Sequence, residues 1–302
     1  MIRMRRVPAT AALAVLVATL ATACSGPGGQ PAPAPASAGS CHAGVSGAEN
    51  WIMGSGELSA AQAAGASSVR YAVGSAHLFV LLLRGQTSRA GQEVADFRSY
   101  AELKKMIRQG TIAPGIRWVM YDNEQWSLTP ADEQADPVHY EQLFARLAHR
   151  QGYKVILAPA QDLVPGFDKN SFRAGQAVWP SYLSMGLAAV SARAADIYEI
   201  QAQPYEMSVY RSRHAYADFV AAAAAQARAA NPGVVIYAGL STQRVSSAAQ
   251  LLQDYETTRN LVDGYWLNIP RHDQPGPPGL ADQFLRTIPA SASASAATCA
   301  GA

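Results

Sequence analysis

Residues 197–238 contain a strand, a helix and a second strand in succession, with the sequences IYEIQAQ at 197–203, HAYADFVAAAAAQARAAN at 214–231 and VVIYA at 234–238. The two outer runs are rich in residues that favour strands, whereas the middle run is mostly alanine and favours a helix. Pro232 and Gly233 end the helix before the second strand begins. This succession predicts two parallel strands connected by a helix.

The same alternation extends over the rest of the chain. Further strands are predicted at 51–53, 78–83, 117–124, 154–158 and 265–269, with another possible strand at 70–73. Helices are predicted at 58–66, 97–108, 137–150, 182–194 and 248–261. With a folded part at 41–289, the chain matches the roughly 250 residues of a (β/α)8 barrel. We therefore predict a single-domain α/β fold, a TIM-like barrel. A flavodoxin-like open sheet is the main alternative, although no Gly-x-Gly-x-x-Gly motif follows the first strand.

The N-terminal residues predict export. Residues 1–23 combine three early arginines, an apolar run at 11–20 and the small residues Ala-Thr-Ala at 21–23, as in a signal peptide. The segment that ends in Cys24 resembles a bacterial lipobox, which implies a lipidated Cys24 and anchoring at the outer face of the cell membrane. Plain secretion is the alternative. Residues 24–40 are rich in proline and alanine and predict a linker, and residues 290–302 form a low-complexity tail.

The other two cysteines, Cys41 and Cys299, flank the predicted domain. Exported proteins enter an oxidising compartment, and the two ends of a closed barrel lie near each other. We therefore expect a Cys41–Cys299 disulfide between the two ends of the domain.

Composition argues against several other classes of function. Removal of the leader, with its three arginines, changes the formal net charge from +2 to −1 and leaves no basic stripe for nucleic acid. The six histidines show no metal-binding spacing, and no Gly-x-Ser-x-Gly nucleophile motif occurs. We therefore expect neither a metal nor another cofactor; the oligomeric state is left open.

The run WVMYDNE at 118–124 carries the strongest functional pattern. It is an apolar strand with Asp122 and Glu124 at its carboxyl end, and alternation along the strand places these two acids on one face, opposite Tyr121 and Asn123. Active sites of barrel enzymes lie at the carboxyl ends of the strands, and paired carboxylates catalyse glycosidic hydrolysis. The alternative is an ion-paired or capping pair at the strand end.

Further polar and aromatic residues are predicted near the same rim. Glu199, Gln201 and Gln203 share one face of a buried strand, which favours either substrate binding or an internal polar network. Other candidate binding residues, from loops and strand ends, are Asp162, Trp126, Trp266 and Asn268. Trp179 is interpreted as a core residue instead.

The segment 120–124 resembles the end of the catalytic strand motif of hevamine-type chitinases and endo-N-acetylglucosaminidases, where Asp-x-Glu closes the fourth strand. Gln201 and Gln203 on the sixth strand and Trp266 on the last strand are also similar to that family, whereas Met120 stands at one of its acidic positions. The resemblance implies a carbohydrate substrate, with Glu124 as general acid and Asp122 assisting. The competing hypothesis is a non-catalytic lipoprotein that binds a glycan or a protein through the barrel rim.

Overall fold

Eight parallel strands pair in chain order, and the first also pairs with the eighth, so that the sheet of this computed structural model is a closed barrel. The strands are β1 (Trp51–Gly54), β2 (Leu78–Leu82), β3 (Gln92–Phe97), β4 (Trp118–Tyr121), β5 (Lys154–Leu157), β6 (Ile197–Ile200), β7 (Val235–Ser241) and β8 (Gly264–Asn268). Helices occur between the strands. The predicted (β/α)8 TIM-like barrel is therefore confirmed, and the open-sheet alternative is excluded.

The structure describes residues 50–63, 78–82, 86–168, 170, 177–206, 214–243, 245–269 and 279–288. All of them belong to one unit, Gly44–Ala302. The predicted signal peptide, linker and tail, the three cysteines and the possible strand at 70–73 lie outside the described residues. No helix in the described ranges has the length and apolar character needed to cross a membrane.

The described helices surround the barrel. They are α1 (Ser55–Ala63), α2 (Tyr100–Gln109), α3 (Ala131–Ala135), α4 (Pro137–Arg150), α5 (Trp179–Ser184), α6 (Leu187–Ala194), α7 (Ala215–Ala230), α8 (Ala248–Thr258) and α9 (Leu280–Thr287). Asp136 caps α4 by accepting a hydrogen bond from the His139 amide, and Pro137 is the first helical residue. The helix predicted at 182–194 is two helices instead, because Gly186 adopts a left-handed conformation between them.

Strand β3 was not predicted from the sequence. The predicted helix at 97–108 in fact begins at Tyr100, where Ser99 accepts a hydrogen bond from the Glu102 amide as an N-cap. Residues 92–97 form the strand, although Val94 and Phe97 are its only fully buried apolar residues. Its hydrophobic signal is therefore weak. The omission of β3 from the prediction matters, because this strand leads directly into the candidate site.

The interior of the barrel is a compact apolar cluster. It contains Ile52, Phe79, Leu81, Val94, Trp118, Met120, Ile156, Ala158, Ile197, Tyr237 and Trp266. Residues on the opposite faces of the strands pack against the helices in two other clusters. Branched and aromatic side chains thus fill the lower part of the barrel, and the polar residues lie towards the carboxyl ends of the strands.

Candidate functional site

A cleft with a volume of about 330 Å³ opens at the carboxyl ends of the strands. Its walls include five of the residues predicted from the sequence, namely Asp122, Glu124, Trp126, Trp266 and Asn268. They also include Glu57, Asp96 and Arg98, which were not predicted. The fold thus brings the two acids of the β4 run together with both candidate rim tryptophans.

Asp122 lies at the inner end of the acidic pair. Its side chain is only 4% exposed. Its Oδ1 accepts a hydrogen bond of 2.7 Å from Gln201 Nε2, and its Oδ2 lies 3.3 Å from Arg98 Nη1. Burial, followed by the negative charges of Glu124 and Asp96, raises the pKa of Asp122 well above its ordinary value, although Arg98 and Gln201 oppose the shift. Asp122 therefore holds a proton at pH values where an exposed aspartate has lost it.

Arg98 joins the carboxyl groups of β3 and β4. It forms ion pairs with Asp96 and Asp122, and its guanidinium carbon lies 5.4 Å from the centre of the Trp126 ring. Burial alone would lower the pKa of Arg98, but the charges of Asp96, Asp122 and Glu124 outweigh it and raise this pKa. Arg98 therefore stays charged and holds the two buried acids in place.

Asp96 and Arg98 were missed because β3 was missed. Burial raises the pKa of Asp96 despite its ion pair with Arg98. The Ser99-x-x-Glu102 capping pattern was the available signal, since it places the start of α2 after Arg98 and leaves 92–97 for a strand.

Glu124 is partly exposed and lies in the wall of the cleft. Its backbone amide donates to Thr129 Oγ1 at 3.3 Å, which holds the turn after β4. On the opposite face, the Tyr121 hydroxyl donates to Glu133 and its ring stacks on Phe144. Asp122 and Glu124 thus line the cleft, whereas Tyr121 packs outwards among the helices.

The three polar residues predicted on one face of β6 are all buried, and none lines the cleft. Strand β6 ends at Ile200, and Gln203 begins a short 3₁₀ turn. Gln201 donates both to Asp122 and to the carbonyl oxygen of Ala158, each at 2.7 Å. Gln203 contacts Gly239 so closely that an added Cβ there would lie 2.2 Å from its amide group. The placement of Gln201 therefore favours an internal polar network over direct substrate binding for this strand.

The remaining predicted residues have different surroundings. Asp162 accepts a hydrogen bond of 2.9 Å from the Gln125 amide beside the cleft. Trp126 donates through Nε1 to Thr129 Oγ1 at 2.8 Å. Trp266 is 8% exposed, and its Nε1 has no hydrogen-bond partner within the described part of the chain. Trp179 is partly buried and packs against the core at Phe219, with the ring centres 6.4 Å apart, in agreement with its interpretation as a packing residue.

Glu57 closes the cleft on the side where β1 meets β8. It lies in the first turn of α1 and accepts hydrogen bonds from the amides of Gly54 at 2.6 Å and Ile269 at 3.1 Å. Burial raises the pKa of Glu57, and these two hydrogen bonds oppose the shift. The sequence did not single it out, because an acid in the first turn of a helix is common at exposed positions as well.

The cleft combines several carboxyl groups with an arginine and two aromatic rings. No group of three or more His, Cys, Asp or Glu residues suited to a metal ion occurs among the residues that the structure describes. A buried acid with a raised pKa behind a partly exposed one is an arrangement that supports proton transfer to a bound molecule.

The eight-stranded barrel supports many unrelated chemistries, so the fold alone does not assign an activity. No protein-family model matches this chain, and no curated protein matches its sequence. The case for a function therefore rests on the cleft and its carboxyl groups.

Proposed function

We propose that the protein is a glycoside hydrolase-like lipoprotein that acts on an extracellular glycan by carboxylate acid/base catalysis. The observation that carries the proposal is the placement of Asp122 and Glu124 with Trp126 and Trp266 in one cleft at the catalytic end of a barrel. The volume of the cleft, about 330 Å³, lies within the range of small-molecule sites.

In this proposal Glu124 is the general acid. It is the more exposed of the two acids and lies in the cleft wall, so it donates its proton to the oxygen of the leaving sugar. Asp122 lies behind it, oriented by Gln201 and Arg98, and supports Glu124 or a neighbouring group on the sugar. Its raised pKa keeps a proton within the pair.

The apolar part of a sugar ring is the natural partner of the indole groups in the cleft. Trp266 offers such a surface, and its Nε1 is a buried donor without a partner among the described residues. One side of Trp126 is covered by Arg98. Asn268 adds an amide at the end of β8 for a sugar hydroxyl.

The proposal includes the location of the protein. The signal-like residues 1–23, the lipobox-like Cys24 and the linker 24–40 support a barrel that is tethered by lipid at the extracellular face of the membrane. A Cys41–Cys299 disulfide suits the same oxidising environment.

A second candidate is a non-catalytic barrel that binds a glycan or a protein at the same rim. The ion pairs of Arg98 with Asp96 and Asp122 favour it, because an acid capped by arginine also serves a purely structural role. The two candidates share the cleft and differ in whether a bond is broken.

The test is a screen of the mature protein against cell-wall and other polysaccharides, followed by Glu124→Gln and Asp122→Asn. Loss of a general acid costs about 10²–10⁴-fold in kcat, so Glu124→Gln should abolish turnover with folding and ligand binding retained. Asp122→Asn should cost less. Glu256→Gln, at an exposed position on α8, is the control and should leave the rate unchanged. Full activity of Glu124→Gln would refute the assignment, and binding without turnover by the wild type would favour the second candidate.

A further inference from the structure

Glu199 is a carboxyl group inside the barrel that the proposed reaction does not use. Its side chain is inaccessible to solvent, and neither carboxyl oxygen has a hydrogen-bond partner among the described residues. An ionised carboxylate in such surroundings is costly, whereas a neutral carboxylic acid is much less so. The site of Glu199 therefore favours its protonated form.

The register of the strands places Glu199 beside Asp122. Tyr121 pairs with Leu157 across β4 and β5, so Asp122 falls next to Ala158. Leu157 pairs with Tyr198 across β5 and β6, so Ala158 also falls next to Glu199. The two acids consequently flank Ala158 at one level of the barrel. Ala158 carries only a methyl group, so no long side chain of β5 stands between the two acids.

The two acids are stabilised differently. Asp122 has Arg98 and the Gln201 amide as partners, both of which favour its ionised form. Glu199 has no comparable partner within the described ranges. If only one of two adjacent acids ionises, the structure favours ionisation of Asp122.

We propose that Glu199 is a positioning residue that keeps its proton in the working enzyme, so that Asp122 can ionise without a second negative charge beside it. This inference rests on the proposed function, since Asp122 is assigned there as the partner of Glu124. Burial, together with the charges of Asp122 and Glu124, raises the pKa of Glu199 well above its ordinary value of 4.5, in agreement with the geometry.

The other titratable groups near Glu199 do not reverse this arrangement. Tyr237 on β7 is its neighbour in register. Burial raises the pKa values of Tyr198, Tyr182 and Tyr216, and a negative charge on Glu199 would raise them further. These three side chains therefore stay neutral. Of the groups at the ends of β3 and β4, negative charges on Asp122 and Glu124 raise the pKa of Glu199, and Arg98 is paired with Asp122.

The first experiment measures the unfolding equilibrium of the wild type and of Glu199→Gln against pH. Because the folded state holds one more proton than the unfolded state, the stability from this group is fully present below pH 4.5 and is lost as the pH rises. The unfolding constant of the wild type should therefore rise by about tenfold per pH unit relative to Glu199→Gln. Parallel pH dependences of the two proteins would overturn the proposal. If Glu199→Gln does not fold, Glu199→Met provides the same comparison with a neutral side chain.

The second experiment tests the link to Asp122. In Asp122→Asn one negative charge beside Glu199 is gone, so the tenfold rise per pH unit should stop at a lower pH than in the wild type. Glu141 is the control, because it is a buried carboxyl outside the barrel whose pKa burial raises to about 8. The contribution of Glu141 to the pH dependence of stability is measured with Glu141→Gln, in the wild type and in Asp122→Asn. It should be the same in both proteins. An unchanged end point for Glu199 in Asp122→Asn would overturn the coupling.

The third measurement is the pH profile of turnover. Glu199→Gln should shift the alkaline limb of the profile relative to the wild type, since the variant cannot place a negative charge beside Asp122 and near Glu124. If Glu199 had only a structural role, Glu199→Gln would change the rate by the same factor at every pH and leave the alkaline limb where it is. That result would contradict the proposal. If the wild type hydrolyses no glycan, the proposed function fails, whereas the two stability experiments still decide the state of Glu199.

Discussion

Replacement of Arg98 by methionine tests whether the ion pairs at the ends of β3 and β4 hold the site together. Methionine keeps much of the aliphatic volume of Arg98 but removes the guanidinium, which lies over Trp126 and carries the charge that Asp96 and Asp122 share. Both carboxyl side chains are 4% exposed, so water cannot replace the lost partner. The variant therefore leaves two buried acids without their counter-ion.

The expected loss of stability at neutral pH is about 2–4 kcal/mol. Removal of one partner from a buried ion pair costs about 3–5 kcal/mol, and we reduce this figure because a quarter of the Arg98 side chain reaches solvent. The loss should depend on pH with a definite sign. The pKa values of Asp96 and Asp122 are already raised in the wild type and rise further without Arg98. The penalty should therefore shrink below the ordinary aspartate value of 3.8, where both acids are neutral, and grow as the pH increases.

Urea denaturation of both proteins between about pH 4 and pH 8 measures this dependence. Arg286→Met is the matched control, because Arg286 forms an exposed pair with Asp282 within α9 and its loss should have no measurable effect. A penalty for Arg98→Met that is the same at every pH, or that equals the control, would refute the reasoning.

Two further predictions concern the elements that support the site. Gly110 ends α2 with a φ of 62°, so Gly110→Ala should lower the free energy of unfolding by about 1–2 kcal/mol in urea denaturation. Gly56→Ala, also at an uncrowded position, should not destabilise, and equal losses would contradict this account. Glu133 accepts hydrogen bonds from the Tyr100 and Ala101 amides and the Tyr121 hydroxyl, so Glu133→Gln should cost about 1.5–3 kcal/mol; unchanged stability would contradict it.

The amino-acid sequence by itself determined most of the alternation of strands and helices and, through it, the prediction of a parallel α/β fold; the closure of the sheet into a barrel was decided by the tertiary structure. The alternation follows from contacts between residues that are close along the chain. Helix α4 begins at Pro137, as predicted, for the same reason. Asp122 and Glu124 could also be placed at the end of a strand, because the apolar run before them and the alternation of side chains are local properties.

Only the tertiary structure decided which groups surround those two acids. The amide of Gln201 reaches Asp122 from a position 79 residues away, and Glu57 joins the Ile269 amide over 212 residues. Arg98 became part of the site only because β3 pairs with β4. A glutamine, an arginine or a glutamate in the sequence carries no sign of such a distant partner. The closure of the barrel and the strand register set these distances, and with them the pKa values that the proposed chemistry needs.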